Sequence, residues 1–210
     1  MRALVIANGD APSTALLQEL AAAAQLVIAA DGGLRHALAA GIHVHAVVGD
    51  LDSVTPEMRR QLPAERFHQR SDADTTDLQK AIVYATEQGA TEVDVVAAAG
   101  GRADHALANL SVLRLFRGRA AVRIVDNLFE ISLVEGEATV DAPAGTVISL
   151  VAIGQAEGVT TTGLRWNLAA AALAFGPHGI HNEIAEPPAR IVVTSGDLLL
   201  FRGRWVEKHA

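Results

Sequence analysis

Apolar residues in the first half of the chain come in short unbroken runs. Leu4–Ala7, Leu26–Ala30, Val44–Val48 and Val93–Ala98 each stop at a loop rich in Gly, Asp or Asn. Runs of this length bounded by turn residues read as buried strands. Between them lie segments of helical pattern: Pro12–Ala24, with Pro12 near the first turn, Leu34–Ala40, a helix opened by Thr55-Pro56-Glu57, Asp74–Gln88 and Asp104–Arg117. Gly41, Gly89 and Gly118 stand where three of them should stop. Arg66–Gln69 is a weak strand. Strands alternating with helices predict a parallel sheet with helices on both faces. The expectation for residues 1–119 is a Rossmann-like α/β domain.

After Ala120 the pattern changes. Val122–Val125, Glu130–Val134, Thr146–Val151, Gly158–Thr162, Arg190–Thr194 and Leu198–Arg202 are short, β-rich and closely punctuated by Gly and Pro. Only Leu168–Ala174 has helical composition. Residues 120–210 are expected to form an all-β, sandwich-like domain.

Half of the 210 residues are apolar and only 4% are aromatic, so the core must be built of Ala, Val, Leu and Ile. The net charge of −7 argues against a general nucleic-acid binder. The absence of cysteine excludes disulfides, thiolate zinc sites and a Cys nucleophile. The first apolar run is too short for a signal peptide, and no stretch reaches the ~20 apolar residues of a membrane span. The expectation is a cytoplasmic protein without membrane contact.

Ligands of parallel sheets sit outside the carboxyl ends of the strands. Asp31, Asp50, Asp52 and Arg102 all fall just past predicted strand ends. Gly49-Asp50-Leu51-Asp52-Ser53 places two carboxylates at alternate positions. Such a pair either holds a hard cation beside phosphate or is a solvated turn with a helix cap. In Asp72-Ala73-Asp74-Thr75-Thr76-Asp77-Leu78-Gln79-Lys80, Asp74 or Thr75 is a candidate N-cap, which places Asp77 near the third helical position. Lys80 shares a face with Asp77 and either neutralises a phosphate or pairs with that acid. Gly100-Gly101-Arg102-Ala103-Asp104-His105 joins a strand to a helix. It is either a phosphate cradle with a bidentate Arg102 or a tight turn capped by Asp104. Asp31-Gly32-Gly33 has the same logic. Neither a Gly-x-x-x-x-Gly-Lys-Ser/Thr loop nor a Gly-x-Gly-x-x-Gly loop is present. Trp166 is either a core side chain or a stacking face.

Taken in order, Ala30-Asp31-Gly32-Gly33, Gly49-Asp50-Leu51-Asp52-Ser53, Asp72-x-Asp74-x-Thr76-Asp77-x-x-Lys80 and Gly100-Gly101-Arg102-x-Asp104-His105 resemble the thiamine pyrophosphokinase family. Gly158-Val159-Thr160-Thr161-x-Gly163-Leu164-Arg165-Trp166 and Asn182-Glu183 resemble that family's thiamine-side segment. The resemblance implies a homodimer that moves the terminal diphosphate of ATP to thiamine, with Mg²⁺, releasing AMP. By resemblance Asp50, Asp52 and Asp77 hold the Mg²⁺. Asp31, Gly32, Lys80, Gly101 and Arg102 serve ATP, and Asp74, Asp77, Asp104 and Arg102 serve the reaction. Either Asp77 or Asp104 is the base. Trp166, Asn182 and His181 line the thiamine pocket, which the family builds across the dimer interface. Two departures lie on the acceptor side. His181 stands where the family has Ser, and Arg165-Trp166-Asn167 stands where Lys-Trp-Pro is common.

Three rivals stay open. Asp72-Ala73-Asp74-Thr75-Thr76 fits the Asp-x-Asp-x-Thr pattern of haloacid-dehalogenase-like phosphohydrolases, but the preceding Phe67–Ser71 is not a strongly apolar strand. A diphosphokinase acting on another alcohol, such as a pterin, is the second. A module that senses ATP without turnover is the third.

Overall fold

The structure is a computed structural model and describes residues 1–206. The chain is a mixed α/β protein that divides into two compact units, Met1–Asn127 and Leu128 onward.

The first unit alternates strand and helix: β1 (Arg2–Ile6), α1 (Thr14–Ala23), β2 (Leu26–Ala30), α2 (Leu34–Ala39), β3 (Ala46–Gly49), α3 (Pro56–Arg59), β4 (Phe67–Gln69), α4 (Asp77–Glu87), β5 (Glu92–Val96), α5 (Ala103–Asn109), α6 (Ser111–Leu115) and β6 (Ala121–Val125). The strands run parallel in the order β4-β3-β2-β1-β5-β6. The order reverses at β1, which pairs with β2 on one side and β5 on the other. Such a reversal opens a crevice between the loops that leave the two strands.

Both faces of the central strands are buried, which is why these strands read as continuous apolar runs. Leu4, Ile6, Val27, Ala29 and Val47 pack with Leu16, Leu17 and Leu20 of α1 and with Leu34 and Ala37 of α2. Helix α4 packs on β1, β2 and β3 and buries Leu78, Ala81, Ile82 and Ala85.

Local chemistry fixes the helix starts, and two of them differ from expectation. Helix α1 begins after Ser13, whose hydroxyl accepts from Leu16 N at 3.4 Å, so Pro12 lies outside the first turn. Helix α4 is capped by Thr76, whose Oγ1 accepts from Gln79 N at 3.2 Å. Neither Asp74 nor Thr75 is the cap. Asp72 accepts from Asp74 N and Thr75 Oγ1, both at 2.9 Å, and ties them into a separate turn. Asp77 is therefore the first helical residue. The predicted helix Asp104–Arg117 is broken at Leu110, beside Asn109, whose amide donates to Ala98 O at 2.7 Å.

The predicted boundary between 119 and 120 falls before β6. That strand pairs in parallel with β5 and buries Val122, Ile124 and Val125, so it belongs to the first unit.

The second unit contains β7 (Phe129–Val134), β8 (Glu137–Val140), β9 (Thr146–Thr162), β10 (Ala171–Ala174), β11 (Asn182–Glu183), β12 (Ala189–Val192) and β13 (Ser195–Val206). Every ladder described here is antiparallel. The two strands expected at 146–151 and 158–162 are one strand, β9, which pairs with β10, β11, β12 and β13. The helical composition of Leu168–Ala174 is overridden: Ala171–Ala174 is a strand on β9, with Leu173 buried. Ile148, Leu150, Val159, Leu164, Ile184, Ile191 and Leu198 are among the residues of this unit's own core. Among the described residues, no helix is long and apolar enough to cross a membrane.

Candidate functional site

The ends of β2 and β3 and the start of α4 bring three acids together. Carboxylate oxygens of Asp31, Asp50 and Asp77 lie within 4.8 Å of one another. Gly49 makes this approach possible. A Cβ there would stand 2.9 Å from Asp31 Cβ and 3.0 Å from Asp77 Oδ1. Asp77 Oδ1 accepts from Asp50 N at 3.3 Å and pairs with Lys80 Nζ at 3.0 Å. Lys80 is itself buried, one turn along α4.

Asp31 is the buried member of the trio, at 3% exposure, with backbone φ of +45°. Its Oδ2 accepts from Ser53 N at 3.3 Å, and its Oδ1 is buried with no partner. Burial holds its carboxyl above the usual range. The Asp77 and Asp52 charges push the same way, and hydrogen bonds from Ser53 oppose them. An orphaned buried carboxylate oxygen beside two further carboxylates needs a counter-charge, and an all-oxygen donor set suits a hard cation. These residues fit Mg²⁺.

Asp52 stands apart from the trio. Its Oδ1 accepts from Ser53 Oγ at 2.9 Å, and its amide donates to Asp50 Oδ1 at 3.1 Å. The structure thus groups Asp31, rather than Asp52, with Asp50 and Asp77.

The trio opens onto a cleft of ≈ 660 Å³ at the carboxyl edge of the sheet. Asp52, Lys80, Gly101, Arg102 and His105 also line it, whereas Gly32, Asp74 and Asp104 do not. Gly32 lies under the Asn8 side chain, and a Cβ there would meet Asn8 Nδ2 at 2.5 Å. Asp104 does not cap α5. It takes both Nε and Nη2 of Arg102, at 3.1 and 2.5 Å. That pairing lowers the Asp104 carboxyl to about 2. Asn8, Asp10, Arg35 and Asp72 line the cleft as well. Sequence reading quoted Asp72 within the acidic motif without giving it a role and gave none to the other three, although Asn8-Gly9-Asp10 follows the first strand and Arg35 sits two residues past Gly33.

In the second unit Trp166 is 58% exposed, so it is not a core side chain. The Arg165 guanidinium lies 5.2 Å from its ring centroid and pairs with Glu183 at 2.6 Å. Asn182 clamps the Trp166 backbone, accepting from its N at 3.2 Å and donating to its O at 2.7 Å. His181, at φ +58°, donates its N–H to Ser149 Oγ at 2.9 Å. Trp166, Asn182 and His181 are thus brought to one place.

Fold and cleft define a two-part α/β protein with a carboxylate trio, of a kind that could hold a cation, at the carboxyl edge of its parallel sheet. Family models narrow this class: residues 17–125, more than half the chain, match "Thiamin pyrophosphokinase, catalytic domain", and residues 133–198 match "Thiamin pyrophosphokinase, vitamin B1 binding domain". The chain belongs to the thiamin pyrophosphokinase family. It is 30% identical over 173 residues to thiamine pyrophosphokinase 3 of Oryza sativa subsp. japonica, covering 74% of this chain and 64% of that one. It therefore spans just under two thirds of the length of that rice relative. It is 28% identical over 186 residues to thiamine pyrophosphokinase of Bacillus subtilis (strain 168), covering 84% and 86%. The crystal structure of a thiamine pyrophosphokinase from Bacillus subtilis superimposes with a TM-score of 0.84 at 25% identity, over 97% of this chain and 99% of that one.

Proposed function

We propose that the protein is a thiamine pyrophosphokinase, converting ATP and thiamine to thiamine diphosphate and AMP. The observation that carries this reading is the Asp31–Asp50–Asp77 trio with its orphaned oxygen, set beside Lys80 in a chain of this family. On this reading the first unit is a Rossmann-like nucleotide domain. The second is a β-sandwich that supplies the thiamine side, and the working form is a cytoplasmic homodimer.

Asp31, Asp50 and Asp77 would hold Mg²⁺, with Asp52 next to them. When bound, the ion offsets charge on the phosphate oxygens. The remaining work falls to the chain. Phosphoryl-type transfer is mostly positioning and charge neutralisation. Lys80, fixed on Asp77, presents an ammonium to the phosphates from the floor of the cleft. Arg102 presents a guanidinium held in plane by Asp104. The thiamine hydroxyl oxygen bonds to the β-phosphorus, the bond from that phosphorus to the AMP oxygen breaks, and the hydroxyl proton leaves. A carboxylate that titrates at about 2 is a poor proton acceptor near neutral pH, so Asp104 serves by orienting Arg102. Asp77 is the remaining acid of the two considered. The exposed indole of Trp166 offers a flat apolar face to the acceptor rings, and Asn182 and His181 frame it.

The test is AMP formation from ATP and Mg²⁺ with and without thiamine. Thiamine-dependent AMP, matched by thiamine diphosphate, is expected. Bound ATP without thiamine-dependent AMP would turn the reading toward another alcohol or an ATP sensor. Asp50→Asn removes a charge without changing volume; it should abolish turnover and leave the fold intact. Wild-type turnover in that variant would remove Asp50 from the metal site.

A further inference from the structure

We propose that Arg35 is a phosphate-binding residue of the cleft, taking the polyphosphate of the nucleotide on the wall built by the loop after β1. The proposal rests on the nucleotide reading of the cleft above and adds a residue to it. Three cations line this cleft, and their partners differ. Lys80 is paired with Asp77, and Arg102 with Asp104. No carboxylate pairs with Arg35 among the described residues. Its Nη2 donates instead to two backbone carbonyls, Asn8 O at 2.9 Å and Gly9 O at 3.4 Å. Its charge is oriented by neutral dipoles, and no carboxylate among the described residues neutralises it.

The loop that holds it is fixed. Gly9 N donates to Ala97 O at 2.8 Å and Asp10 N to Ala99 O at 2.7 Å, which ties the loop after β1 to the loop after β5. Gly9 has no room for a side chain, since a Cβ there would stand 2.2 Å from Ala99 O. Arg35 is thus mounted where the strand order reverses, the place where open parallel sheets bind ligands.

The donor inventory shows what remains for a ligand. Burial keeps the His36 ring below its ordinary range, so the imidazole is neutral at pH 7 and carries one N–H. His36 Nε2 lies 2.8 Å from the Gly9 carbonyl, which can only accept, so the N–H is on Nε2. A protonated Nε2 cannot accept from Arg35 Nε, 3.3 Å away. Of the five guanidinium N–H groups, the two on Nη2 are used and the one on Nε is aimed at the His36 ring, which leaves the pair on Nη1 without a partner among the described residues. The free N–H donors on Nη1 of a pre-positioned guanidinium, which no carboxylate pairs among the described residues, suit phosphate oxygens.

The full-length protein, with Mg²⁺ present, is titrated by calorimetry with ATP, inorganic tripolyphosphate and adenosine. Wild type, Arg35→Gln and Arg35→Lys are compared, and thermal unfolding is recorded for each. Arg35→Gln should weaken ATP and tripolyphosphate about 10- to 100-fold, the range for a lost hydrogen bond to a charged group. Adenosine binding should change less than about twofold, and Arg35→Lys should recover part of the loss. Unchanged ATP affinity in Arg35→Gln overturns the proposal. So does an equal loss of adenosine and ATP with a lowered melting temperature, which would mark a purely structural side chain. Tripolyphosphate binding that needs Arg35, without any ATP binding, keeps the phosphate site and sinks the nucleotide reading. Wild type that binds neither overturns both.

Discussion

At the scale of single residues, burial changes how readily His36 takes up a proton. Burial lowers its pKa from the ordinary 6.5, with the neighbouring Arg35 adding to the effect. The unfolded chain therefore binds the proton more readily than the folded one. The stability contributed by neutral His36 is complete above 6.5 and is lost as pH falls through the lower, folded value. His36→Gln keeps a donor for Gly9 O but cannot titrate. Its urea midpoint should fall less than that of wild type between pH above 6.5 and about 5. Equal slopes in the two proteins would remove His36 from the acid sensitivity. Residues that follow a strand end or open a helix were legible: Asp31, Asp50, Asp77 and Lys80 all came from position. Spacing alone set Asp52 beside Asp50; with Leu51 at φ +68°, the Asp52 amide donates to Asp50 Oδ1 and the Asp52 carboxylate accepts from Ser53 Oγ, while Asp31 completes the close trio. Arg35 was not legible, because its role depends on where two carbonyls from a distant loop end up.

At the scale of elements, the approach of β2, β3 and α4 is set by what is missing at Gly49. Gly49→Ala places a methyl 2.9 Å from Asp31 Cβ and 3.0 Å from Asp77 Oδ1, and one of the elements must give way. Overpacking of this kind costs about 1–3 kcal/mol, and a displacement of about 1 Å costs roughly 100-fold in rate. A folded Gly49→Ala protein that still turns over at the wild-type rate would show that the trio needs no such closeness. The parallel strands were legible because strands covered on both faces must be apolar throughout. The strands of the second unit were harder. Gly154 and Gly158, at φ +83° and +66°, look like terminators in sequence. In the fold they let one strand swerve and continue. Ala-rich composition suits a helix only when nothing else competes, and β9 offered Ala171–Ala174 a ladder.

At the scale of the whole molecule, a cation in the trio should be felt as stability. A ligand of the folded state at 100 times its dissociation constant adds about 2.7 kcal/mol. Mg²⁺ should therefore raise the melting temperature by several degrees. Asp31→Asn removes the buried charge; without metal it should melt no lower than wild type, and it should gain little from Mg²⁺. Differential scanning calorimetry decides it, and an equal gain in the variant would exclude Asp31 from the metal site. The division of the chain was legible as a change of pattern but not at its true place, since a short β-rich segment such as Ala121–Val125 suits either kind of sheet. One feature of the second unit bears on how that unit comes apart. Strand β9 is shared by the ladders to β10, β11, β12 and β13. Strands β10 and β11 pair with β9 alone and can come away singly, whereas losing β9 removes all four ladders together. Releasing β9 along the whole of Thr146–Thr162 leaves β12 only its ladder to β8 and β13 only its ladder to β7, so the centre of this unit should be lost in one cooperative step.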